Sequence, residues 1–150
     1  GPVVEQVHYG GNKIIGKHQG LWFYTTGQRK GLGLAGGPAV AKASAGKPYY
    51  VLDKDIKKNH LIVTKSEKDL YKKELITQNV NWISGKMPKL PLRVQVKIRY
   101  RHKPATATMA KILNSKFYIL KFDKSQRAIT PGQSVVFYKN QEVLGGGVIH

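Results

Sequence analysis

The sequence predicts a mostly β protein, α+β in class: a small first domain carrying a β-hairpin, then a six-stranded antiparallel β-barrel. Three observations predict it. Short apolar-alternating runs recur at short, regular spacing through the second half, with turn residues between them. Those runs show no helical period. In the first half, two β-rich runs flank one polar stretch. A length of 150 residues holds one ordinary domain or two small ones, and a 41% hydrophobic content suits a folded chain.

From residue 1 to about 46 the chain is glycine-rich and reads as irregular, with the role of residues 3–13 left open. "GLWFYTT" places Trp22, Phe23 and Tyr24 together, as a short buried helix or strand; so few residues carry no usable period. "AGGPAVAKASAGKP" is small, flexible and poor in charge, and reads as a loop. Runs 49–52 and 60–64 around "DKDIKKN" predict a hairpin with a longer loop. "KSEKD" (65–69) has no core-forming residue and marks the expected boundary between domains 1–68 and 69–150. The barrel strands are expected at 74–83, 92–100, 106–113, 116–122, 134–138 and 142–149, with turns at 85–91, 103–104, 114–115, 123–126, 131–132 and 139–140. Closing the sheet removes the exposed strand edges that invite aggregation.

Charge points to the partner. Lys and Arg number 26 against 8 Asp and Glu, a formal net charge of +18. Residues before Asp69 carry +7 (11 basic, 4 acidic) and the remainder +11 (15 basic, 4 acidic), so the partner is expected to touch both parts. Such an excess draws polyanions, whether nucleic acid or an anionic membrane surface. No apolar run reaches membrane-spanning length, no secretory signal is visible, and the first residue is Gly1 rather than methionine; a processed or excised chain is expected. With no cysteine, these residues hold no disulfide, no cysteine-ligated zinc and no thiol nucleophile. The five histidines (8, 18, 60, 102, 150) lack metal-ligand spacing.

In "LRVQVKIRYRHK", Leu92, Val94, Val96, Ile98 and Tyr100 alternate with Arg93, Gln95, Lys97, Arg99, Arg101 and Lys103. Successive strand residues face opposite ways, so one face is apolar and the other cationic, with side chains ~6.5–7 Å apart. That is close to phosphate spacing along a nucleic-acid strand. The alternative is a solvated outer barrel face. The absence of any acid between Glu74 and Asp123 favours the phosphate-tracking stripe, because a face serving solubility alone mixes the two signs.

"TTGQRKGLGL" fails as a nucleotide loop. After Gly27 come Gln28, Arg29, Lys30 and Gly31, so the lysine precedes the later glycines and no Ser or Thr follows it, against the Walker order. The dinucleotide pattern also fails, lacking a strand before and a helix after. The stretch reads either as Gln, Arg and Lys presented to a phosphate-bearing ligand between permissive glycines, or as a tight turn with incidental charges. His18 reads as structural or RNA-facing, Asp53 and Asp55 as hairpin ion-pair partners, and "LGGGVI" as close strand crossing.

Four ordered blocks, "GKHQGLWFYTTGQRKGLGL", "YYVLDKDIKKNHLIVT", "RVQVKIRYRHKPATATM" and "ITPGQSVVFYKNQEVLGGGVI", resemble the carboxy-terminal half of the tRNA-specific 2-thiouridylases, the MnmA-like family. The resemblance covers residues from about 16 to 149 and fits "VVEQVHYGGN" poorly. It implies a central domain and a carboxy-terminal barrel like domain 2 of translation factors. It also implies an amino-terminal ATP-pyrophosphatase domain outside this chain, which binds ATP and magnesium, adenylates the wobble uridine and delivers sulfur through cysteines. The expected function is thus a tRNA-binding, non-catalytic part of a tRNA-uridine 2-sulfurtransferase that uses ATP and persulfide sulfur. No catalytic, metal or cofactor-binding residue is expected here, and a sulfur-donor protein is expected to act on the absent domain. The expected tRNA-binding residues are Gln28, Arg29, Lys30, Arg93, Lys97, Arg99, Arg101 and Lys103. No membrane partner is expected, and the expected location is the cytoplasm, or a mitochondrion or plastid in a eukaryote. The rival readings are a free-standing basic RNA-binding or ribosome-associated module, and an autonomous enzyme built on the glycine-rich loop.

Overall fold

The computed structural model describes residues 1–7, 10–29, 48–99 and 102–150. It divides into two compact units, Gly1–Leu70 and Tyr71–His150.

The first unit is a four-stranded sheet in the order β2-β1-β4-β3, formed by β1 (Pro2–Glu5), β2 (Lys13–Lys17), β3 (Tyr50–Asp55) and β4 (His60–Thr64). The expected hairpin is present as β3–β4, with Lys54 opposite Leu61 and Val51 opposite Val63. Its loop is shorter than expected. The strand runs on to Asp55, whose carboxylate accepts the Lys58 backbone N–H at 3.1 Å, and Asn59 turns the chain at φ 56°. Asp53 likewise accepts a backbone N–H, from Lys54 at 2.7 Å. These carboxylates therefore serve the hairpin backbone.

Residues 2–5 and 13–17, read as irregular, form β1 and β2. β1 lies parallel to β4, with Val3 opposite Leu61 and Val4 opposite Ile62. Four residues carry too little alternation to announce a strand, and the parallel partner is far away in sequence. Val3, Val51, Leu61 and Val63 are fully buried together with Tyr24 and Tyr49, and Ile15 and Leu21 pack against them.

The second unit is a closed barrel in the order β10-β5-β8-β7-β6-β9. Its strands are β5 (Tyr71–Trp82), β6 (Leu92–Lys97), β7 (Ala105–Lys111), β8 (Tyr118–Arg127), β9 (Ser134–Lys139) and β10 (Glu142–Ile149). Every neighbouring pair is antiparallel. Alternation fills the interior: Val94 and Val96 from β6, Ala107 and Met109 from β7, Leu120 and Phe122 from β8, Val135 and Phe137 from β9. Burying each large apolar side chain stabilises by roughly 1.5–3 kcal/mol. Glycines in β10 allow the closing crossings. A Cβ on Gly145 would collide with the Asn81 carbonyl of β5, and one on Gly146 would lie 2.9 Å from the Val135 carbonyl of β9.

The strand limits depart from expectation by a residue or more at several ends, and most at the ends of β6 and β8 and the start of β5. β6 stops at Lys97, its last ladder partner being Val136, so Arg99 lies in a bend and not on the strand. β8 continues through the expected turn at 123–126, because β5 begins early enough to pair Tyr71 with Arg127 and Lys72 with Gln126. The side chains there are mostly exposed, so the apolar rhythm ends before the backbone pairing does.

Candidate nucleic-acid interface

The cations expected to form one stripe separate into different roles. Arg93, on the outer face of β6, opposes Thr108 of β7, which opposes Lys121 of β8. Asp123 lies two residues beyond Lys121 on that same face. The Arg93 guanidinium holds it with both arms, at 2.7 and 2.6 Å, and touches the Thr108 hydroxyl at 3.2 Å. Arg93 holds the Asp123 carboxyl below its usual range, chiefly through these hydrogen bonds, with Lys73 adding attraction. The counter-charge that the sequence lacks nearby is thus supplied from two strands away.

Arg99 turns inward. One guanidinium nitrogen donates to the Arg127 and Ala128 carbonyls, at 2.5 and 2.9 Å. Burial and the neighbouring Arg127 charge both lower its pKa from the usual arginine value. The expectation that this side chain belongs to an outward cationic stripe opposite the apolar face is therefore corrected: it ties the 98–99 bend to the end of β8. Lys97 is half-buried at the strand end, and Lys103 is exposed. Arg101 lies outside the described residues.

A groove of about 440 Å³ opens beside β6, lined by Arg93, Gln95, Thr106, Tyr138, Lys139, Asn140 and Gln141. Its far wall has no distinctive signature in the sequence, where Lys139 and Asn140 read only as a turn. The left-handed pair Asn140 (φ 49°) and Gln141 (φ 70°) makes that turn and carries two amides to the groove edge. An Asn or Gln in a hairpin turn between two apolar runs is the only signal available beforehand.

In the first unit, the stretch before the glycine-rich loop is a turn pinned to the sheet. The Gln28 N–H donates to the Thr25 carbonyl, and the Gln28 side-chain oxygen accepts the Thr25 N–H at 3.0 Å. Gly27 supplies φ 87°, and backbone bonds tie Gly27 and Gln28 to Val51 of β3. The side-chain oxygen of Gln28 is thus already engaged in closing the turn. Arg29 follows it, exposed. Lys30 and the glycine-rich stretch to residue 47 lie outside the described residues. His18 is buried, donates from Nε2 to the Asn59 carbonyl at 2.8 Å and meets Tyr24 edge-on. Residues Leu21–Phe23 form a 3₁₀ turn with no buried member, contrary to the expected buried element. Tyr24 alone of the three aromatics faces the core, because one turn cannot aim three consecutive side chains inward.

A closed antiparallel barrel and a small mixed sheet, each bearing cations and amides on its exposed faces, define a two-unit β module. The barrel matches the model of the aminomethyltransferase β-barrel domain over residues 72–149, and the first unit matches the tRNA methyl transferase PRC-barrel domain over residues 3–65. The chain belongs to the tRNA methyl transferase family that these two domain models describe. It is 46% identical over 140 residues to the tRNA-specific 2-thiouridylase MnmA of Coxiella burnetii (strain RSA 493 / Nine Mile phase I), a match covering 92% of this chain and 37% of that protein. It is 48% identical over 136 residues to the protein of the same name from Clostridioides difficile (strain 630), covering 91% of this chain and 35% of that one. With that of Alkalilimnicola ehrlichii the identity is 42% over 139 residues. The chain thus spans little more than a third of the length of these relatives. Among the described residues, no helix is long and apolar enough to cross a membrane.

Proposed function

We propose that this chain is the tRNA-binding, non-catalytic portion of a tRNA-uridine 2-sulfurtransferase that thiolates the wobble uridine. The observation that carries the reading is the 42–48% identity, over about nine-tenths of the chain, to proteins named tRNA-specific 2-thiouridylases. The family-model descriptions speak of methyl and aminomethyl transfer, but whole-chain identity at this level is the stronger guide to the reaction of the parent protein. The charge of +18 and the polar groove beside β6 supply attraction and hydrogen bonding for an RNA backbone. In this reading ATP, magnesium and a persulfide-bearing sulfur donor act on the part of the parent protein that lies outside these residues. The chemistry needs a thiol, and this chain has no cysteine. The work is done where tRNA matures, in the cytoplasm or, for a eukaryotic source, in a mitochondrion or plastid.

The test uses the 150-residue chain itself. It is expected to bind unmodified tRNA with an affinity that falls steeply with salt. It is expected to form no 2-thiouridine when incubated with ATP, magnesium, a sulfur donor and tRNA, read by mass spectrometry of the digested RNA. Product above background overturns the non-catalytic role. Equal affinity for ribosomal RNA helices and for tRNA instead favours the free-standing RNA-binding module.

A further inference from the structure

We infer that Trp22 and Phe23 form a stacking platform for an unpaired RNA base, with Lys54 and Arg29 beside it to take the flanking phosphate. The inference rests on the RNA-binding reading and deepens it. Trp22 is 78% exposed and Phe23 64%, an unusual state for two adjacent large aromatics. The turn that holds them is anchored at both ends. Leu21 packs against the core of the first unit, and Tyr24 is buried within it. Gly20, at φ 154°, makes room for the Trp22 ring: a Cβ there would lie 2.7 Å from it. The outward aromatics are therefore seated between a residue packed on the core and a buried one, not left over from a loose end.

Charge complementarity decides the occupant. The Lys54 ammonium donates to the Tyr24 carbonyl at 3.1 Å, which fixes a cation at the end of the aromatic turn. Arg29 is exposed on the stretch that follows, just beyond the turn pinned to Val51. A protein-docking patch has an apolar centre with charge at its rim. Here the aromatic turn runs into the Tyr24 carbonyl that Lys54 holds, and Arg29 follows five residues later, in a chain of charge +18. A nucleotide offers both complements, a π face and a phosphate, and stacking tolerates any base. The two rings lie 5.4 Å apart at 43°, too close to admit a base between them, so the base stacks on an exposed ring face.

The experiment has two independent arms. Trp82→Phe leaves Trp22 as the sole tryptophan, and its fluorescence is followed while a short single-stranded oligouridylate, or a fully paired RNA hairpin with the same number of phosphates, is added. The single strand is expected to quench at least about twofold at saturation, as base stacking requires, and the hairpin only marginally. In the second arm, Trp22→Leu with Phe23→Leu in the otherwise unaltered chain keeps apolar bulk and removes the π faces. Affinity for labelled single-stranded RNA is expected to fall roughly 5- to 100-fold with an unchanged melting temperature. If RNA binds the chain, yet Trp22 emission and the affinity of the double-leucine variant stay as they were, the platform is overturned and the pair belongs to a protein contact, while the tRNA-binding reading stands. If no RNA binds at all, both fall.

Discussion

Arg93 and Asp123, thirty residues apart in sequence, meet as a two-armed ion pair across the outer face of the barrel, spanning β6, β7 and β8. The pair is exposed, so its meaning lies in the local charge that RNA meets and not in stability. A phosphate approaching Arg93 must compete with a carboxylate already in place.

Replacing Asp123 with Asn therefore releases a cationic fork at that surface. The salt dependence of tRNA binding is expected to steepen by roughly one unit in the log–log slope, using ~0.7–0.9 per added phosphate contact. Filter binding across a salt series checks it. Lys103→Ala is expected to move the slope by a similar amount in the opposite direction. A slope indifferent to both substitutions would mark this side of the barrel as ordinary solvated surface.

Arg99 is expected to behave as a structural residue. Arg99→Ala strips donors from the Arg127 and Ala128 carbonyls, and losing hydrogen bonds from a charged group costs about 1.5–3 kcal/mol. For a domain of this size that corresponds to a melting-temperature drop of several degrees or more. Arg99→Lys keeps the charge and loses the fork, so it is expected to recover only part of the loss. An unshifted melting curve accompanied by a flatter salt slope would return Arg99 to the phosphate contacts.

Gly145→Ala is expected to disrupt closure of the barrel, because the added methyl meets the Asn81 carbonyl where β10 crosses β5. The cost is about 3 kcal/mol or more, at the upper end for overpacking, since the obstacle is backbone. Gly85→Ala is a useful contrast. Its Cβ would meet nothing, and only the left-handed φ of 78° opposes it, so a milder effect of about 1 kcal/mol is expected. Denaturant midpoints of the two variants are the measurement.

The first unit is expected to weaken in alkali. Burial pushes the Tyr49 hydroxyl up to about 12, helped by its 3.0 Å hydrogen bond to Glu5 and by that carboxylate's charge. The unfolded phenol ionises near pH 10. Between about 10 and 12 the folded chain holds a proton that the unfolded chain has lost, so stability falls as pH rises. The contribution is complete below about pH 10 and amounts to on the order of 2 kcal/mol. Tyr49→Phe is expected to flatten this decline in denaturant titrations at stepped pH. An equally steep decline in Tyr49→Phe would assign it to the loss of lysine charge instead.

The barrel was legible because alternation is written into each strand: Val94 and Val96 face in while Arg93 and Gln95 face out. What escaped had no local signature. β1 is only four residues long, and its parallel contact with β4 depends on residues near the other end of the unit. The tail of β8 is ladder without an apolar rhythm. At the candidate interface, residue type alone indicated positive charge, but it could not show that Arg99 spends its donors on carbonyls or that Asp123 answers Arg93. Those depend on where β6 ends and on how three strands align. The exposed seat of Trp22 was hidden for a related reason. Hydrophobicity argued for burial, and only the anchors on either side reveal that the ring faces out.

The position of β10 also sets the order of events in time. It pairs with β5 on one side and β9 on the other, so the ring is completed by residues 142–149 joining residues near the beginning of the same unit. Before residues 142–149 have emerged from a ribosome, the β6–β7–β8 meander can assemble from local hairpins, but β5 and β9 each present a raw edge. Ring closure between distant segments is the slow kind of step, because loop entropy is lost before the contacts form. The interval in which this barrel is most open to mispairing therefore lasts until β10 has emerged and docked.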